Sequence, residues 1–282
     1  MTSYDYDAPV DEQGRPRPKY YRLREMIGAD RGPLPPVPEP IPAADIPPIA
    51  MKPYSTLWAN LPAPVSSVQP KPMEAFGQYQ GIIVYRTRLL GRKSGTLTVT
   101  DPHDYALVFL DGAFVGTLDR REGVSSINLP PSRERMPLLD IVVEAMGRIN
   151  YGPALIDRKG ITDRVTLGGM TLMNWEVFNL PMDETSLASL REASVDTARH
   201  CVFFRGTFDL DRPADTFLDM SSYRKGIVWV NGHNLGRYWD IGPQKRLYCP
   251  APWLRTGRND VTVFDFHAVA PAPIAGFRTL EQ

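Results

Sequence analysis

Apolar residues along most of this chain fall in short runs broken by turn residues, and recurrence at helical spacing is sparse. Residues 106–110 (Ala-Leu-Val-Phe-Leu) run into Asp111-Gly112, and residues 227–230 (Ile-Val-Trp-Val) run into Asn231-Gly232. Strands of β-branched, aromatic and leucine side chains closed by Asp-Gly or Asn-Gly are the strongest short-range hairpin signal. The spacing predicts strands over 84–89, 95–100, 106–110, 126–129 and 138–143, with counterparts further along. Many short strands between turn signals predict a mainly β chain of sandwich or jelly-roll type.

The two hairpins share a grammar. Asp111-Gly112 aligns on Asn231-Gly232, and Gly116 on Gly236, both at an offset of 120. Asp140 to Val143 aligns on Asp260 to Val263 at 120, and Tyr85-Arg86-Thr87 on Phe204-Arg205-Gly206 at 119. Landmarks in register predict two copies of one β domain, each roughly 100 residues and within ordinary domain size. Their expected bounds are 73–178 and 179–282.

The chain before them is different. Residues 2–7 predict one strand, and Tyr20, Leu23 and Ile27 at helical spacing predict a helix over 18–27, with Gly28 as its C-terminal cap. A lone strand and helix cannot bury their own apolar faces, so residues 1–30 read as the end of another domain. Residues 31–72 hold 13 prolines, an extended connector. Within it, residues 51–58 are expected to supply a strand to the last domain.

Composition narrows the function classes. A 43% hydrophobic share in 282 residues is ordinary for a folded protein of about two domains. The 32 basic residues balance the 32 acidic ones, so nothing points to a nucleic-acid partner, and no apolar run has the length of a membrane span. Cys201 and Cys249 are far apart and lack metal-ligand spacing, which argues against zinc and leaves one disulfide open. The four histidines, His103, His200, His233 and His267, have no such spacing either. No hydrolase or cofactor motif occurs, so no cofactor is expected. The acidic start, without an apolar leader, gives a cytoplasmic expectation for the chain as encoded.

The stretches "TSYDYDAPVDEQG", "KYYRLREMI", "GRINYGP" and "VWVNGHNLGRYW" through "LYCPAPWL" and "GRNDVTVFD" resemble, in this order, the C-terminal half of glycoside hydrolase family 35 β-galactosidases. The resemblance implies two galactose-binding-like jelly-roll domains preceded by the last strand and helix of a β/α barrel. A complete barrel takes about 250 residues, so most of it would lie outside this chain as a missing or separately encoded partner. Retaining hydrolysis needs two carboxyls about 5 to 5.5 Å apart. By resemblance that glutamate pair would precede Met1, so no catalytic residue is expected here and the chain alone is expected to be inactive. The resemblance implies one substrate contact, Tyr6. The parent enzyme would be open to export.

The second hairpin offers further candidates. Trp229, alternating in its strand, reads as core, while Arg237, Tyr238 and Trp239 read as a surface for docking the barrel, and for self-association where it is bare. The alternative is a sugar platform, with Trp229, Tyr238, Trp239 and Trp253 as aromatic faces and Asn231, His233 and Asn234 as hydrogen-bonding partners of galactoside hydroxyls. Three readings follow: the non-catalytic β-domain portion of a β-galactosidase, a stand-alone carbohydrate-binding module, and a structural interaction protein. Retention of a barrel strand and helix favours the first.

Overall fold

The computed structural model describes residues 7–91, 93–196, 199–242 and 245–280. They form two compact units, one made of the chain up to Tyr54 with Cys201 onward, the other of Ser55 to His200. The expected strand over 2–7 lies almost wholly outside the described residues.

The Ser55–His200 unit is a sandwich of two antiparallel sheets. Its larger sheet has the order Val65–Ser67, Trp175–Leu180, Gly81–Arg88, Leu138–Ala145, Tyr105–Leu110, Ala113–Asp119. The smaller runs Met170–Thr171, Val165–Leu167, Gly95–Val99, Ser126–Leu129. Alternate residues of both sheets interlock in one core, including Ile83, Tyr85, Leu97, Val99, Val108, Ile141, Val143, Val165, Trp175 and Val177. Each large apolar side chain so buried contributes roughly 1.5–3 kcal/mol. Residues 179–200, expected in the second sandwich, belong to this unit. Strand Trp175–Leu180 pairs with Gly81–Arg88 through Leu180 opposite Ile82. Further on, Ser55 Oγ donates to Arg191 O at 2.6 Å and Trp58 Nε1 to His200 O at 3.1 Å.

The other unit repeats the plan. One sheet runs His233–Trp239, Lys225–Val230, Gly257–Asp265, Val202–Leu210, Lys52–Thr56, and the second runs Ile46–Ile49, Ile274–Phe277, Thr216–Asp219, Arg246–Cys249. Its core is aromatic. Phe204 meets Tyr223 edge-on at 5.6 Å between ring centroids, and Phe264 meets Phe266 at 4.9 Å.

The internal repeat extends to backbone detail. Asp111 and Asn231 both have φ of 50°, the left-handed geometry of a primed hairpin turn that aspartate and asparagine tolerate. Both hairpins carry an irregularity at matching places, between Val108 and Phe109 and between Val228 and Trp229. Tyr85 pairs with Ile141 and Phe204 with Val263, which supports the 119 offset. The third strand is different: Val108 faces Ile141 and Val228 faces Val263, an offset of 122 rather than 120. A slip of two residues preserves which face each side chain occupies, so the hydrophobic pattern alone does not reveal it.

The helix spans Pro18–Arg31, longer than expected. Gly28 does not end it, because a glycine inside a helix costs only about 1 kcal/mol relative to alanine. It ends at Gly32, whose φ of 82° suits glycine, and Gly32 N donates to Gly28 O at 2.9 Å. No residue of this helix is buried. Among the described residues, no helix is long and apolar enough to cross a membrane.

Candidate functional site

The second hairpin does not present the aromatic surface expected of it. Consecutive strand residues face opposite ways, so Tyr238 and Trp239 cannot share a face. Tyr238 points inward and is 2% exposed. Its hydroxyl is 2.9 Å from both Phe264 O, to which it donates, and Asp265 Oδ2. It is a core residue, which corrects its assignment to docking or sugar contact. Trp229 is buried as well.

Asn231 is committed to the backbone. Its Nδ2 donates to Trp253 O and Asn259 Oδ1, both at 2.8 Å, and its Oδ1 accepts from Asp260 N at 3.0 Å. The side chain fastens the turn to the neighbouring strand and has little left for a hydroxyl. His233 stacks on Trp253 at 5.0 Å with 23° between planes, so each covers one face of the other. Asn234 Oδ1 accepts from Gly236 N at 2.7 Å within the returning strand. Trp239 is half-buried under the buried Lys225, whose Nζ lies 3.8 Å from the ring centroid, a cation–π contact. Arg237 is exposed on the outer face. The expected cluster is thus spread over both faces of the hairpin. Tyr6 lies outside the described residues.

Cys201 and Cys249 are buried and form no disulfide, and burial pushes the Cys249 thiol up to about 12. A thiol raised in this way is the opposite of a reactive cysteine.

A cluster that sequence reasoning missed lies in the other unit. Buried Lys159 places Nζ 2.6 Å from Asp104 Oδ2 and 2.7 Å from Asp157 Oδ2, and donates to Gly147 O at 3.1 Å. Arg120 Nη1 bridges the other oxygens, 2.9 Å from Asp104 Oδ1 and 2.8 Å from Asp157 Oδ1. His103 joins through Nδ1, 3.2 Å from Asp157 Oδ1, and Nε2, 2.8 Å from Asp101 Oδ1. Burial alone would raise the Asp157 carboxyl, but hydrogen bonds from Lys159, Arg120 and the Ile149 N–H outweigh it and hold the group well below the usual carboxylate range.

His103, Asp104 and Asp157 bring potential metal-ligand atoms within 4.8 Å of one another. Lys159 and Arg120 already neutralise these carboxylates, so the donor set does not call for a metal. Nor does it suit glycoside hydrolysis, since both carboxylates are fixed by cations and buried, whereas a catalytic pair must reach either side of a sugar ring. The only trace in the sequence was the charged run Asp157-Arg158-Lys159 before Gly160-Ile161. Its partners lie about 40 to 55 residues away, as the 2.6 Å contact of Lys159 with Asp104 shows.

The described residues form two β-sandwich units, and the polar clusters found in them hold strands and loops in place. Residues 1–29 match the family model "Glycosyl hydrolases family 35", residues 70–181 "Beta-galactosidase, first all-beta domain", and residues 201–259 "Beta-galactosidase, galactose-binding domain". A β-galactosidase of Xanthomonas manihotis is 42% identical over 251 residues, covering 88% of this chain and 41% of the relative. Beta-galactosidase-1-like protein 3 of Rattus norvegicus is 37% identical over 281 residues, 94% of this chain and 44% of the relative. Beta-galactosidase-1-like protein 2 of Homo sapiens is 36% identical over 288 residues, 96% and 44% respectively. The chain corresponds to the C-terminal β-domain portion of the family 35 β-galactosidases. It spans about two-fifths of the length of the curated relatives it matches.

Proposed function

We propose that these domains serve as the non-catalytic support of a β/α barrel that hydrolyses terminal β-galactosides, the chain holding only the end of that barrel. The observation that carries this reading is the helix Pro18–Arg31. It buries none of its residues, and Tyr21, Leu23, Met26 and Ile27 are exposed, yet it lies in the segment matched by the hydrolase family model. Leu23, Met26 and Ile27 lie on one side of the helix, and exposed apolar side chains grouped in this way have the character of an interface, while a barrel helix packs on its neighbouring strands and helices. Preserved identity across both β domains to relatives more than twice as long supports the same assignment.

The test is hydrolysis of a nitrophenyl β-galactoside by two proteins. One is the chain of residues 1–282; the other is a chimera in which it replaces the aligned segment of the Xanthomonas manihotis β-galactosidase. The chain alone is expected to show no turnover, since losing a nucleophile or general acid removes orders of magnitude in rate. The chimera is expected to be active. Turnover by the chain alone, or an inactive chimera, contradicts the reading.

A further inference from the structure

In a chain of zero net charge, one end of the Ser55–His200 sandwich gathers positive charge. The turn after strand Gly81–Arg88 lies there beside the loop that joins Ser126–Leu129 to Leu138–Ala145: Leu89 N donates to Pro137 O at 2.9 Å, and Lys93 Nζ to Glu134 O at 3.0 Å. Arg88, Lys93, Arg133 and Arg135 stand on these segments, with Glu134 and the neighbouring Asp111 as the acids. Asp111 is committed, since its carboxylate accepts from Leu138 N at 2.8 Å and from Ser132 Oγ at 2.6 Å. Arg88, Arg133 and Arg135 are exposed, and among the described residues none of the three is in an ion pair.

An open cavity of about 600 Å³ adjoins these cations. It lies by Ala113–Asp119 and Ser126–Leu129, which are the end strands of the two sheets. Phe114, Val115, Pro130 and Pro131 supply apolar lining, and Asn128 and Arg133 supply polar groups. Asn128 Oδ1 accepts from Thr96 Oγ1 at 2.9 Å, so the amide is held in place and its Nδ2 is left to donate. A volume within roughly 300–1,000 Å³ and apolar walls with a few placed polar groups are the character of a small-ligand pocket.

We propose that this cavity and the arginines around it bind a saccharide chain that carries carboxylate groups. A sugar ring turns C–H faces to apolar walls and hydroxyls to donors such as the Asn128 amide. The carboxylates go to the arginines, whose planar forks pair with a carboxylate through two parallel hydrogen bonds. A neutral sugar would leave Arg88, Arg133 and Arg135 unmatched. A membrane surface asks for a broad apolar face, whereas Leu90 and Met136 are the large hydrophobic side chains exposed on these two segments. The site does not depend on a barrel, because every residue in it belongs to one unit.

Calorimetric titration of the chain of residues 1–282 with tetragalacturonate, and with neutral galactotetraose, tests the proposal. The acidic tetramer is expected to bind saturably and more tightly than the neutral one, and to weaken as salt rises, because exposed charges are screened. Arg133→Gln with Arg135→Gln should weaken it about tenfold and leave the melting of the chain unchanged. Arg133→Lys with Arg135→Lys keeps the charge and loses the fork, and should weaken it as well. Arg212→Gln with Arg258→Gln, an equal loss of charge in the other unit, should bind as the parent does. No saturable binding, a neutral tetramer bound as tightly as the acidic one, or the same loss in the Arg212 and Arg258 variant overturns the site. Phosphatidylglycerol vesicles that sediment the parent but not the Arg133 and Arg135 glutamine variant would make a membrane the partner, and would overturn the saccharide.

Discussion

Tyr238 shows how a residue can look functional in a list and be structural in place. Its hydroxyl joins two groups of the adjacent strand, Phe264 O and Asp265 Oδ2, and its ring closes over Gly226. A β-carbon at Gly226 would stand 1.8 Å from Phe264 O and 2.5 Å from the Tyr238 hydroxyl, so only glycine fits. Tyr238→Phe leaves Asp265 short of one partner and should lower the unfolding free energy by about 1–3 kcal/mol, with circular dichroism little changed. Gly226→Ala should be worse, since the clash includes backbone. Chemical denaturation of the two variants checks both, and a Tyr238→Phe protein as stable as the parent would show that the hydroxyl contributes nothing. Strand alternation already excludes a shared face for Tyr238 and Trp239, which the reading of both as surface overlooked, but it does not say which of the two turns inward. Lys159 was not legible. Its partners Asp104 and Asp157 are brought together by the sandwich, and no local pattern announces them.

At the scale of elements, the hairpins were readable because turn chemistry is local: Asp-Gly and Asn-Gly require the geometry that Asp111 and Asn231 adopt. The third-strand offset and the end of the helix were not. Both are decided by alternatives of nearly equal local energy, a two-residue slip that keeps every face and a glycine tolerated within a helix. The loop element of residues 146–159 carries a pH signature. The Asp157 carboxyl lies lower in the folded state than in the unfolded chain, where it titrates near 3.9. Its hydrogen bonds therefore contribute stability that is fully present above about pH 5 and is lost as pH falls through the folded value. Asp101, likewise lowered against burial by Thr162 and His103, adds in the same direction. The denaturation midpoint of the chain should hold between pH 5 and 7 and drop below about pH 4. Asp157→Asn should lower the plateau and make the acid fall shallower. A fall of the same steepness in the variant would assign the acid sensitivity to other carboxylates.

At the scale of the whole molecule, the two sandwiches are complete in themselves. Each has an interlocked core, and polar clusters such as Asn231 with Asn259 and Lys159 with Asp104 and Asp157 are absorbed in holding strands and loops. Among the described residues, exposed apolar side chains stand on the helix Pro18–Arg31, at Leu23, Met26 and Ile27, and at the tip of the loop that carries Tyr151. Surfaces of that kind are costly to leave in water at roughly 25 cal/mol per Å², and a catalytic barrel would cover them. The central claim, that these β domains support a barrel through the helix, is tested most directly by placing Met26→Asp with Ile27→Asp in the isolated chain and in the Xanthomonas manihotis chimera. Thermal inactivation of β-galactoside hydrolysis would be followed in the chimera, and thermal unfolding in the chain. The account predicts that the double variant inactivates the chimera at a distinctly lower temperature, or abolishes its activity, while the isolated chain melts as before. A chimera that keeps full activity and an unchanged inactivation temperature with both aspartates in place would contradict it.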